Sequence, residues 1–201
     1  MNIFLGNPPE KIKRWIINYY NWKQEEKRKV PLCFEAVDAG ATVALKCIGN
    51  NLKTAIFQTS TDGQSWSDYT YKNSITLTNA GDKVYFRAKK DNTTIERNWF
   101  NYLHFKTTQD AKNVKVSGNV MSLLAPEFKD LLDLSTIRSG NPGTDYFRQL
   151  FDSCKNISNC SNLILPATTL ANDCYASMFA GCSSLTQAPA LPATTLADSC
   201  Y

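Results

Sequence analysis

The sequence predicts a mainly β chain with one helix: a short N-terminal helix, a two-sheet β-sandwich and then the start of a stacked-repeat solenoid. Three observations predict it. Ile12, Trp15, Ile16 and Tyr19 recur at i, i+3, i+4 and i+7 near the start. Residues 31–117 break into short β-rich runs divided by turn signals. LPATTLANDCY at 165–175 returns as LPATTLADSCY at 191–201, an offset of 26 with two of eleven positions changed. Self-similarity at such a period marks units that bury their apolar faces against one another.

The helix belongs to residues 1–30, read as an anchor helix and linker. Asn7 is placed to cap it, Pro8 and Pro9 suit a first turn, and Glu10 favours a helix start. Its apolar stripe leaves Lys11, Lys13, Arg14 and Asn18 off that face. QEEKRKV then reads as a solvated charged run. These 30 residues hold seven basic and three acidic side chains, which accounts for the whole net charge of +4. The rest of the chain is balanced, so a nucleic-acid-binding stripe is not expected. The basic head suits docking to an acidic protein surface instead. Phe4, Leu5, Ile12, Trp15, Ile16 and Tyr19 are the candidate partner-anchor residues. Trp15 leads them, because buried aromatics dominate interface energetics.

Residues 31–117 contain LCFEAV, ATVALKCI, KTAIFQTS, SITLT, KVYFRAKK and NYLHFK, with DAG, GNN, TDG and NAGD as turns. That spacing predicts about seven antiparallel strands and an immunoglobulin-like sandwich. STDGQSWSDY reads as a hairpin whose Trp66 and Tyr69 cover the sheet. Trp66, Tyr69, Tyr71, Trp99, Phe100 and Tyr102 could stack a sugar ring, but Trp66 and Trp99 are read as core fillers.

Residues 118–146 are a transition and cap, with 139–145 (SGNPGTD) a loop. The repeats occupy 147–201. Phe147, Leu150, Phe151, Cys154 and Ile157 match Tyr175, Met178, Phe179, Cys182 and Leu185 at an offset of 28. YxxMFxGCxxL reads as a helical turn or two facing inward, and LPATTL as an extended edge stepping to the next unit. Phe151, Cys154, Cys174, Met178, Phe179, Cys182 and Leu185 are the expected repeat core.

No catalytic, cofactor-binding or metal site is expected, so the chain reads as a non-enzyme. The cysteines lack any CxxC pair, and aligned thiols suit buried positions in a stacked ladder. One histidine, His104, lies in NYLHFK with no GxSxG elbow in the chain. Asp62, Asp68, Asp130 and Asp133 sit in polar, turn-like settings unlike a glycosidase pair. No run of roughly 20 apolar residues would cross a bilayer.

LPATTLANDCYASMFAGCSSLTQAPALPATTL resembles the BspA-like leucine-rich repeats of gut Bacteroides surface proteins and of their crAss-like phages. FRQLFDSCKNISNCSNLILPATTL is similar to the entry cap of such arrays, and the segment with STDGQSWSDY to the sandwich that often precedes them. The resemblance covers roughly residues 31–201. It implies a leucine-rich-repeat-type solenoid and an adhesive role with no catalytic residues. Cell-surface members carry an export signal, and MNIFLGNPPEKIKRW has no basic region followed by an apolar stretch. The expectation is therefore a virion fibre or decoration protein, assembled in the host cytoplasm. It would be held to capsid, portal or tail proteins through residues 1–30. Its repeats would meet a host-surface protein or glycan, and a homo-oligomer is expected. The alternatives are a bacterial surface adhesin fragment and a carbohydrate-binding accessory module. Arrays of this kind need about three units and a cap, so the array is expected to continue past Tyr201.

Overall fold

The computed structural model describes residues 9–49, 56–71, 73–93, 100–107, 110–137 and 145–201. Among these, the chain is mainly β, with nine strands in two sheets and one N-terminal helix.

Helix α1 spans Glu10–Arg28. Pro9 is the residue just before it, and its carbonyl accepts from Ile12 and Lys13. The residue at the cap position is Pro9, with no side-chain bond; Asn7, the cap expected from sequence, lies outside the described residues. The helix also runs further than the charged run suggested. Gln24 to Arg28 are strong helix formers, and Glu26 pairs with Lys29 at 2.5 Å across one turn.

The larger sheet contains β1 (Leu32–Ala36), β3 (Phe57–Ser60), β4 (Ser67–Tyr69), β6 (Lys83–Ala88), β8 (Val114–Asn119) and β9 (Ile157–Ile164), in the order β4-β3-β6-β1-β8-β9. The smaller contains β2 (Ala41–Ile48), β5 (Ile75–Leu77) and β7 (Tyr102–Thr107), in the order β5-β2-β7. All pairings among β1–β8 are antiparallel. β6 and β7 alternate buried and less buried residues, as strands with one covered face must. The two covered faces meet where Phe34 of β1 packs 4.7 Å from Phe105 of β7. Tyr69 joins them as well: its hydroxyl accepts from Leu45 N at 2.9 Å and donates to the Asn73 carbonyl at 2.7 Å.

Ser60 and Asp62 build the hairpin before Tyr69. Asp62 Oδ1 accepts from the Ser60 hydroxyl, Ser65 N and Gln64 N, all at 2.7 Å, and these bonds, the Ser60 one foremost, hold its carboxyl well below the usual range. Trp66 does not fill the core. It is half-buried beneath Arg87, whose guanidinium lies 4.0 Å from the ring centre and donates twice to Gln58. Trp99 falls outside the described residues.

Strand β9 lies beside β8 in parallel, so the last third of the chain continues the larger sheet. From there the chain stacks on itself. Asp133 bridges Thr169, Asn159 bridges Gln187, and Thr169 bridges Thr195, all in parallel. Amides of Phe147, Gln149, Phe151 and Ser153 donate to carbonyls of Cys174, Ala176, Met178 and Ala180. Leu170, Asp173 and Tyr175 donate in the same sense to Thr195, Asp198 and Cys200. Each coil therefore rests on the next through its backbone.

The inward helical turns expected in each unit are not helical. Residues 147–154 and 171–182 are chains of β-turns. Leu150, Cys154, Cys174, Met178 and Cys182 each donate to the carbonyl three residues back. The third residue of these turns, Gln149, Ser153, Asp173, Ser177 and Gly181, has a φ between 50 and 70°, as type II turns require. These turns repeat every four residues, so they bring apolar side chains inward at spacings of three and four, much as a helix would. Gly181 suits its place, because a Cβ there would meet the Ser153 Cα at 3.2 Å.

Candidate functional site

Two surfaces follow from this construction: the free face of α1 and the stacked coils. No residue of α1 is buried. The helix touches the body near its C-terminal end, where Asn119 ties it down. Asn119 is fully buried in β8; its Nδ2 donates to the Arg28 carbonyl at 3.0 Å and its backbone amide to the Val30 carbonyl at 2.9 Å. Gly118 permits this approach, since a Cβ there would fall 2.0 Å from the Pro31 carbonyl.

Of the anchor residues read from sequence, α1 carries four. Trp15, Ile16 and Tyr19 are exposed and Ile12 is half-buried. Phe4 and Leu5 lie outside the described residues. Trp15 stacks on Tyr19 at 5.4 Å and 5°, Trp22 follows at 5.9 Å, and the Lys23 ammonium sits 4.9 Å over the Tyr19 ring. Trp15, Tyr19 and Trp22 thus form one aromatic stripe, with Trp15 63% exposed. Ile17 and Tyr20 are exposed too; they lie off the four-residue stripe, and a single periodicity did not select them.

The repeat-core residues come together. Phe151, Cys154, Cys174 and Met178 are buried, and Phe179, Cys182 and Leu185 pack half-buried against them. Aromatic rings form two ladders across the coils. Phe105, Phe151 and Phe179 stack at 5.7 and 5.5 Å. Phe147, Tyr175 and Tyr201 stack at 5.5 and 5.8 Å. Cys154 donates to the Phe105 carbonyl and Cys182 to the Phe151 carbonyl, each at 3.1 Å. None of the seven cysteines is in a disulfide. Burial pushes the thiols of Cys154, Cys160 and Cys174 up to about 12, which opposes the thiolate that metals and electrophiles need.

Other reactive groups are held in structural contacts. His104 Nδ1 lies 3.1 Å from the Gln149 carbonyl, joining β7 to the first coil. Arg148 pairs with Asp173 at 3.1 Å across two coils. Asp145 is buried nearby, and desolvation raises its carboxyl to about 6, against the pull of Arg148. Among the described residues no cluster of histidine, cysteine and carboxylate groups could hold a metal ion. No helix of the structure is long and apolar enough to cross a membrane. Set against known protein families, curated proteins and solved structures, the chain matches none.

Proposed function

We propose that this chain is a non-enzymatic structural protein of a virus particle, a head or tail fibre of a crAss-like phage of gut Bacteroides. Residues 1–30 hold it to capsid, portal or tail proteins, as a homo-oligomer, and its repeat arm meets a host-surface protein or glycan. In this reading the two packed sheets are an immunoglobulin-like sandwich. The stacked coils are the first units of a BspA-like, leucine-rich-repeat-type solenoid.

The observation that carries the reading is α1: a 19-residue helix with no buried residue and an aromatic stripe turned to solvent. Most helix stability in proteins comes from packing an amphipathic face, and α1 has no buried residue to supply it. Burying Trp15, Tyr19 and Trp22 against a partner would contribute several kcal/mol, at roughly 1.5–3 kcal/mol per large apolar side chain. Lys11 and Arg14 suit an acidic rim on that partner, whereas Lys13 is paired with Glu10 at 2.8 Å. The coils support the adhesive half, because stacked units build an extended side-chain surface. Mass spectrometry and immunogold microscopy of purified particles test the reading. The chain is expected in particles; recovery only in cell envelopes would favour a bacterial surface adhesin.

A further inference from the structure

A groove of about 670 Å³ runs between the last two turns of α1 and the edge formed by β8 and β9. Tyr20, Gln24, Lys27 and Arg28 line its helix wall. Their i, i+4, i+7, i+8 spacing puts them on one face of α1, separate from the Trp15–Tyr19–Trp22 stripe. The opposite wall carries Ser117, Ser161 and Asn162, and Leu163, Leu165, Pro166 and Pro192 make the rest of it mainly apolar; Ser117 and Asn162 are register partners across the parallel pair.

No carboxylate lines this groove. Among the described residues, neither Lys27 nor the Arg28 side chain has an acidic partner, whereas the neighbouring Lys29 is paired with Glu26. Arg28 is half-buried and its Nε is shielded from water with no hydrogen-bond acceptor. That atom is closed off from the groove, so an incoming anion would meet the rest of the guanidinium and the Lys27 ammonium in charge-assisted contacts. The bonds from Asn119 to the Arg28 and Val30 carbonyls fix this wall beforehand.

We propose that the groove binds an acidic saccharide, a sugar chain bearing carboxylate or sulfate groups. Arg28 and Lys27 take the anion. Asn162 offers an amide that both donates and accepts, as sugar hydroxyls do, and the Ser161 hydroxyl, which donates to Asn159 Oδ1 at 2.9 Å, keeps lone pairs to accept. Tyr20, 62% exposed, supplies a flat apolar face for a ring. The volume lies in the range of ligand sites. The proposal rests on the adhesive reading above and gives it a place and a ligand class. It makes no use of how the aromatic stripe docks.

The test is calorimetric titration of the full chain with four probes: oligogalacturonate, its methyl ester, a chondroitin sulfate oligosaccharide and poly-glutamate. The variants are Arg28→Gln, Lys27→Gln, Asn162→Ala and, as a charge control far from the groove, Lys106→Gln. Thermal melts check that each is folded. Oligogalacturonate or the sulfated chain should bind, and each of the three groove variants should weaken it. Arg28→Gln should do so at least about tenfold, with Lys106→Gln unchanged. Preference for the first probe identifies carboxylate as the anion, and for the third, sulfate. Equal binding of poly-glutamate makes the groove an acidic-peptide site and overturns the proposal. So does binding that Lys106→Gln reduces as much as Arg28→Gln, or no saccharide binding at all. Those failures leave the particle-attachment reading standing, since incorporation into particles is measured separately.

Discussion

Phe105 and Phe151 stack 5.7 Å apart at 22°, one on the smaller sheet and the other in the first coil. Phe34 of the larger sheet meets both rings, at 4.7 and 6.1 Å. The packed sheets and the coils therefore share one core. Phe151→Ala is expected to cost about 3–5 kcal/mol. Because the core is shared, unfolding curves followed by far-ultraviolet and near-ultraviolet circular dichroism should still coincide. Two separated transitions in the parent protein would contradict a shared core.

The turn chain predicts a backbone effect at Gly181. Its φ is +70° and the Ser153 backbone lies against it. Gly181→Ala should lower stability by about 1–2 kcal/mol, from left-handed strain and the tight contact. Ser177→Gly, at a φ of 53° already occupied by a side chain, should be neutral or stabilising. Urea denaturation measures both; a neutral Gly181→Ala would argue against the turn geometry.

Asp145 makes stability depend on pH. Burial raises its carboxyl to about 6, partly offset by Arg148 and reinforced by Asp173. The unfolded carboxyl titrates near about 4, so between these values the folded state holds the extra proton. Stability from this group is full below about pH 4, falls as pH rises through about 6, and stays low above. Asp145→Asn should flatten that decline and add roughly 1–2 kcal/mol at pH 8. Denaturation series at pH 4.5 and 8 decide it, and an unchanged slope in the variant would assign the decline to other groups.

The buried thiols predict low reactivity. With Cys154, Cys160 and Cys174 held near 12, little thiolate forms at pH 8. Disulfide-exchange labelling of these three should run at least about 100-fold slower in the folded protein than in denaturant. Peptide mapping assigns the labels; rapid labelling of Cys154 in the folded protein would refute its buried ladder position.

How far the sequence foretold this structure depended on which periodicity a segment obeys. The strands of residues 31–117 were legible because alternation such as KVYFRA reports a face directly. The offset of 26 likewise pairs Tyr175 with Tyr201 and Thr169 with Thr195, which do meet across the coils. The turns of residues 147–154 and 171–182 were not legible. A turn repeat of four residues and a helix of 3.6 place apolar side chains almost alike over eight residues, and only the backbone φ separates them. Strand β9 was hidden for a related reason: its buried residues Ile157, Cys160 and Leu163 recur every third position, because register shifts break its pairing with β8. The stripe of α1 was visible, but not its aromatic line through Trp15, Tyr19 and Trp22. The groove against β8 depends on Asn119, whose contacts with Arg28 and Val30 span about 90 residues.

The central claim is that the aromatic stripe of α1 carries this protein to its assembly. Incorporation of Trp15→Ala into purified particles, measured by quantitative mass spectrometry against the parent, tests it most directly. Trp15 is exposed and, among the described residues, its ring stacks on Tyr19, so stability should stay within about 0.5 kcal/mol. Incorporation should fall at least about tenfold, as loss of an interface anchor does. Equal incorporation of a folded Trp15→Ala protein would contradict the claim.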